Sequence, residues 1–172
     1  MKNNNGKNEE MPNAALHELF VEQLRDVLGA ERQLLKGLKK MSAAAVNPEL
    51  IEAFKSHHDQ TEGQIENLKQ VFDSIGLTAR GKKCKAMQGL LDEAEEIIEE
   101  FEDNEALDAA LIGAAQKVEH YEIATYGCLV TYAKLMGHTE SENLLQEILD
   151  QEKETDILLT EIAMSGVNAV GS

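Results

Sequence analysis

Four segments of this chain carry an apolar stripe at alternating steps of three and four residues, and each stripe is broken at mid-length by polar side chains. Stripes of this kind face the core of a helix bundle. The first reads His17, Phe20, Leu24, Val27, Glu31, Leu34, Leu38, Met41, Ala45, with one carboxylate in an apolar seam. The second reads Leu50, Phe54, His57, Thr61, Gln64, Leu68, Val71, Ile75, with three polar positions in succession. The third, Ile112, Ala115, Glu119, Glu122, Tyr126, Leu129, Ala133, Met136, places two carboxylates side by side. The fourth, Ser141, Leu145, Ile148, Glu152, Thr155, Leu159, Ile162, is broken by a carboxylate and a hydroxyl, with Asp156 one step around.

The stripes fix the organisation. The first helix is predicted over about 13–45 and stops at Asn47–Pro48, where proline opens the second. The second runs to about Ser74 and is closed by Gly76, and "GLTARGKK" (76–83) reads as a loop. A shorter helix over about 84–101 ends at "EDN" (102–104). The third long helix spans about 105–136 and stops at Gly137; the fourth starts at Thr139, read as its N-cap, and fades by Gly166. Tight connections within the first and last pairs predict two antiparallel hairpins. The roughly 30 residues between them, a helix of about 27 Å included, can carry the chain from one end of a bundle to the other. The expected fold class is therefore all-α, a ferritin-like four-helix bundle whose long crossover carries a short fifth helix. The predicted bundle domain covers 13–166, between a disordered tail (1–12) and a flexible C-terminus (167–172).

Composition agrees. There is no Trp, only two Pro and 4% aromatic residues, which favours helix. The formal net charge of −16 repels nucleic acid phosphates and anionic lipid, so neither is an expected partner. "MKNNNGKNEE" does not resemble a signal peptide, and no apolar run is long enough to span a bilayer. Two cysteines are too few for a disulfide framework, and the expected compartment is the cytoplasm. Cys84 and Cys128 are expected to be small buried hydrophobes, although the "GKK" before Cys84 would favour a thiolate. The acidic run 91–103 reads as a solvated helix face.

The polar breaks share a height. Counted from the first turn near Asn47, Glu31 lies 16 residues away, His57 10, Gln60 13 and Gln64 17. From the second turn near His138, Glu122 lies 16 away, Glu119 19, Glu152 14 and Asp156 18. Four helices thus contribute to one layer, and burying its carboxylates without compensation would cost several kcal/mol per ion. Metal ions are the economical compensation. Four glutamates with one imidazole suit iron or manganese, with zinc as a further possibility. Glu119 and Glu122, at i and i+3, could bridge two cations about 3.5–4 Å apart. Ferritin-type sites add a Glu-x-x-His motif that is missing here, since the second helix offers His57 ahead of Gln60 and the fourth has no histidine. The competing reading turns the third helix so that both carboxylates reach a rim or pair with Lys117 or Lys153. Of His57 and His58 only one can face the layer. His120 points away from the Glu119/Glu122 face, and Thr61, Gln64 and Thr155 read as hydrogen-bond partners. Tyr126 reads as a core aromatic, with an electron or proton relay as the lesser alternative.

The segments "LRDVLGAERQLLKGLKKM", "HHDQTEGQIENLKQVF", "KKCKAMQGLLDEAEEIIEE", "AALIGAAQKVEHYEIATYG" and "DQEKETDILLTEIA" resemble the YciE/YciF-type family of small bacterial stress-associated proteins. The resemblance covers roughly 16–164 and implies a ferritin-like bundle, a homodimer, and an architecture related to rubrerythrins. It also implies metal positions at Glu31, His57, Glu119, Glu122 and Glu152, with Asp156 as a further candidate. In that family the position of Gln60 usually carries Glu, so a neutral and weaker ligand stands in this chain. The leading functional expectation is a dinuclear site, two Fe or Mn per chain, reacting with dioxygen or peroxide and supplied by an electron-donor protein. The alternative is a non-enzymatic helical dimer whose layer is vestigial or holds a structural ion. Storage of iron in a hollow shell is the weakest reading.

Overall fold

The computed structural model describes residues 13–167; the predicted N-terminal tail and the last five residues of the predicted flexible C-terminus lie outside them. The five helices are α1 (Ala14–Ala44), α2 (Pro48–Ser74), α3 (Lys85–Glu100), α4 (Leu107–Leu135) and α5 (Thr139–Ile162), followed by a π turn at Ala163–Val167. No strand occurs among the described residues. Val167, assigned by the sequence to the flexible end, is buried against the core.

Each boundary has a local cause. The Asn47 side chain accepts the backbone N–H groups of Glu49 and Leu50 at 2.9 and 3.1 Å, and Pro48 at the first helical position gives up no needed donor. At the far ends of α2 and α4 stand Gly76 (φ 74°) and Gly137 (φ 72°), in the left-handed region that only glycine adopts without strain. In both places the next residue donates back to the helix, Leu77 to Phe72 O and His138 to Ala133 O, closing a Schellman turn. Thr139 is the first helical residue rather than the predicted cap; His138 holds that position without a side-chain capping bond.

α1 packs on α2, α4 on α5, α2 on α5 and α1 on α4, while α3 lies against α1 and α4. The neighbours run antiparallel: Gln64 of α2 meets Glu152 of α5 and Ser74 meets Ser141, so rising numbers meet falling ones. Two contacts set the crossover. Its end is fixed by Asp108, whose carboxylate accepts the N–H groups of Val46 and Asn47 at 2.9 and 2.6 Å. Its start is pressed onto α1, where Lys82 donates to Arg25 O at 2.9 Å; a Cβ on Gly29 would stand 1.6 Å from Lys82 O.

The core divides in two. One cluster, including Leu34, Leu38, Met41, Leu50, Phe54, Met87, Leu111 and Leu159, fills the end near the α1–α2 turn. The other, including Phe20, Leu24, Leu28, Leu68, Phe72, Leu129 and Ile148, fills the opposite end. The polar layer lies between them. Cys84 is buried as expected and accepts Met87 N–H through its sulfur, but Cys128 is exposed. Cys128 lies outside the 3-4 stripe of α4, on a second seam that solvent reaches beside Lys82. No helix among the described residues is long and apolar enough to cross a membrane.

Candidate metal centre

The rim reading of the third long helix fails on burial. Glu31, Glu122 and Glu152 are 0% exposed, Glu119 is 1% and His57 4%. One ligand-type atom from each of His57, Glu119, Glu122 and Glu152 lies within 4.8 Å of all the others, so α2, α4 and α5 converge on one point. Glu31 enters from α1, where its Oε1 accepts the hydroxyl of buried Tyr126.

The imidazole is held from behind. His57 Nδ1 lies 3.2 Å from Gln60 Oε1, and Thr155 Oγ1 reaches the same oxygen at 3.1 Å. With Gln60 Oε1 accepting, the ring carries its proton on Nδ1 and turns the Nε2 lone pair toward the carboxylates. Nε2 approaches Glu119 Oε1 at 3.0 Å and Glu152 Oε2 at 4.0 Å, yet has no aligned hydrogen-bond partner. Gln60, expected from its sequence position as a neutral and weaker ligand, lies behind the His57 ring in this structure, on its Nδ1 side. That contact spans only three residues along α2, so the i, i+3 spacing was the available signal.

Other polar groups hold the carboxylates. Gln64 donates its amide to Glu152 Oε1 and to Gln151 Oε1, and Thr61 turns its hydroxyl back onto His57 O at 2.8 Å. Even so, Glu31 Oε2, Glu119 Oε2, Glu152 Oε2 and both oxygens of Glu122 have no hydrogen-bond partner. Buried carboxylate oxygens are normally satisfied, so this much unpaired acceptor capacity in one layer, with Glu31 outside the group of four, marks a place for a cation or for protons. Asp156 stands outside the group of four. Its Oδ2 lies 3.2 Å from Nε2 of exposed His120, which does point away from the layer, while its Oδ1 is unpartnered. His58 also points elsewhere; with Asp59 and Glu62 it forms a surface grouping on α2 of the kind solvent alone can satisfy.

Burial favours the protonated form of the carboxyls in this layer. Burial, reinforced by the charge of Glu152, pushes the Glu31 carboxyl up to about 8, with the Tyr126 hydroxyl pulling the other way. Burial also raises Glu119 to about 8. Glu122 is raised well above the ordinary carboxyl range by burial and by Glu152, Glu31 and Glu119 together. Glu152 is raised by burial and Glu119, against the Gln64 amide. Four acids of one sign in one dry layer cannot all ionise unaided. A divalent cation resolves the conflict, because carboxylates bind it as anions and release their protons on doing so. One imidazole lone pair among oxygen donors, without thiolate, fits iron or manganese.

The sequence of Tyr126 did not announce its bond to Glu31, since that contact depends on the register between α1 and α4. Residues 15–170 match a protein family described as a domain of unknown function, DUF892, and the chain belongs to this family. It is 48% identical over 154 residues to Protein YciF of Escherichia coli, covering 89% of this chain and 93% of that one. The crystal structure of the E. coli stress protein YciF superposes with a TM-score of 0.85, covering 90% of this chain and 98% of the other. YcfI from Rhodopseudomonas palustris matches at 38% identity with a TM-score of 0.80, covering 91% and 95% of the two chains.

Proposed function

Starting from that family membership, we propose that the chain is a ferritin-like stress-response protein whose buried layer binds a pair of redox-active divalent cations, iron or manganese. The observation that carries the proposal is the convergence of His57, Glu119, Glu122 and Glu152 within 4.8 Å, buried and with ligand atoms unpartnered. These four residues would hold one cation. Glu122, with both oxygens free, would be shared with a second cation completed by Glu31. The bound metals would supply one-electron redox chemistry toward dioxygen or peroxide. The chain's own contribution is to orient His57 through Gln60, hold Glu152 through Gln64, hold Glu31 through Tyr126, and exclude water between two apolar clusters. Asp156, outside the group of four, would act on the site through its charge.

A homodimer in the cytoplasm, served by an electron-donor protein, completes the reading. Exposed Ile157, Leu158 and Met164 near the end of α5 are apolar surface that a second copy would cover. The raised carboxyls support a second reading, since a layer able to keep its protons lets the bundle stand as a metal-free structural protein.

Metal content separates the two. Tag-free protein purified without chelator should carry about two Fe or Mn per chain, and Glu122→Ala should reduce this to background. About one per chain would restrict the site to the His57 position. No metal, and no uptake of Fe(II), Mn(II) or Zn(II) on addition, would overturn the metal reading in favour of the structural one.

A further inference from the structure

A second concavity lies away from the polar layer, at the end of the bundle where the α1–α2 turn meets the connection from α3 to α4. It encloses about 780 Å³, within the range of small-molecule sites. Its walls include Ala43, Ala44, Val46, Ile98 and Leu107; Leu107 belongs to the core and Ala44 and Ile98 pack half-buried against it, whereas Val46 is 74% exposed and left uncovered by the described residues. The remaining lining consists of Asn104 and five carboxylates, those of Glu99, Glu102, Asp103, Glu105 and Asp108. No basic side chain among the described residues lines the cleft.

The acids are not spoken for. Asp108 is committed to Val46 N and Asn47 N, but none of the other four forms an ion pair among the described residues. Neighbouring acids on α3 do find cations, Glu93 with Lys117 and Glu95 with Lys40. An uncompensated acidic rim therefore surrounds an unfilled apolar floor, on a chain of net charge −16. Focused negative potential raises the local concentration of cations. The apolar floor then chooses among them. A compact hydrated ion gains nothing from Val46, Ile98 or Leu107. A cation with methylene segments gains from each CH₂ that the floor removes from water.

We propose that this cleft binds a linear aliphatic polyamine, its methylenes on the Ala44/Val46/Ile98/Leu107 floor and its ammonium groups among Glu99, Glu102, Asp103 and Glu105. The site is independent of the metal layer, since His57 lies ten residues along α2 from Asn47, about 15 Å at helical rise.

The test titrates spermidine into the full-length chain at near-physiological salt and follows backbone amide shifts by NMR and heat by calorimetry. Saturable shifts confined to 43–46 and 98–108 are expected. The double substitution Glu99→Gln/Glu102→Gln should weaken binding about ten-fold, whereas Glu140→Gln/Glu142→Gln, the same charge removed from the first turn of α5, should leave it unchanged. Hexaamminecobalt(III), trivalent but without methylenes, should bind at least ten-fold more weakly than spermidine, and Val46→Ser should narrow that gap. Glu99, Glu102 and Glu140 are exposed and Glu142 is half-buried, and none belongs to the core, so the fold is left alone. Shifts spread over the acidic surface, equal binding of the cobalt complex, or equal losses in the two double variants would overturn the proposal in favour of diffuse counter-ion attraction. Shifts at these residues that follow protein concentration rather than spermidine would overturn it in favour of a second copy of the chain.

Discussion

Glu119→Gln should stabilise the metal-free protein at neutral pH and destabilise the metal-loaded one. Burial lifts the Glu119 carboxyl from an ordinary value of 4.5 to about 8. The folded chain therefore binds this proton where the unfolded chain has lost it. Stability from the group is complete below pH 4.5 and is withdrawn as pH rises toward 8. At about 1.36 kcal/mol per pH unit, Glu119 alone withdraws about 3 kcal/mol by pH 7. Glutamine keeps the volume and cannot ionise. In chelator, the variant and parent should unfold alike near pH 4.5 and separate by about 3 kcal/mol at pH 7, or roughly 6–12 °C in Tm for a chain of this size. Excess Mn(II) should reverse the order, because the parent gains binding free energy that the variant has given up. Urea and thermal unfolding followed by helical circular dichroism, with and without Mn(II), read all four arms. A chelated variant less stable than its parent at pH 7 would refute the reasoning, because Glu119 would then be an ionised and paired structural group.

Three further outcomes follow from individual contacts. Gln60→Leu removes the acceptor behind His57 Nδ1 and should lower Mn(II) affinity about 10–100-fold by calorimetry, while the helix signal stays intact. Tyr126→Phe takes the hydroxyl from Glu31, a group raised to about 8 whose ionised form that hydroxyl favours, so in chelator the variant should match the parent at pH 5 and lose about 1–2 kcal/mol by pH 9 in urea titrations. Gly29→Ala drives a Cβ against the Lys82 carbonyl, backbone on both sides, and should cost about 3 kcal/mol in urea midpoint at any pH, with metal affinity spared.

How far the sequence discloses this molecule depends on the distance over which each signal acts. Helix ends are local, so Asn47, Gly76 and Gly137 mark their turns to within a residue. The fold class is legible because a stripe of alternating three and four steps admits few architectures, and because the length of the crossover separates this bundle from a simple up-and-down one. The inward turn of Glu119 and Glu122 is legible only jointly, since α4 alone carries two apolar seams and their burial follows from stripes on three other helices. Cys128 shows the converse, an apolar residue type on the seam that solvent reaches. The pairings of Tyr126 with Glu31 and Gln64 with Glu152 span about 90 positions and depend on register between helices, which no stripe encodes.

The physical logic of the layer joins both readings of it. A bundle that closes over four carboxylates must do so with their charge neutralised, and only protons or metal ions are small enough to enter between packed apolar clusters. Protons let the chain fold before any metal arrives, and a bound metal would then displace them. On the proposed function, folding and loading would be linked through the same four carboxylates, and that linkage has a measurable sign. Each cation bound near pH 7 should expel protons, more of them at pH 6 than at pH 9, so apparent affinity for Mn(II) should rise with pH through the window set by Glu31 and Glu119, which ends near 8. Calorimetry in two buffers of different ionisation enthalpy counts those protons directly. An affinity that is flat from pH 6 to 9, with no proton released, would mean that the metal binds outside this layer.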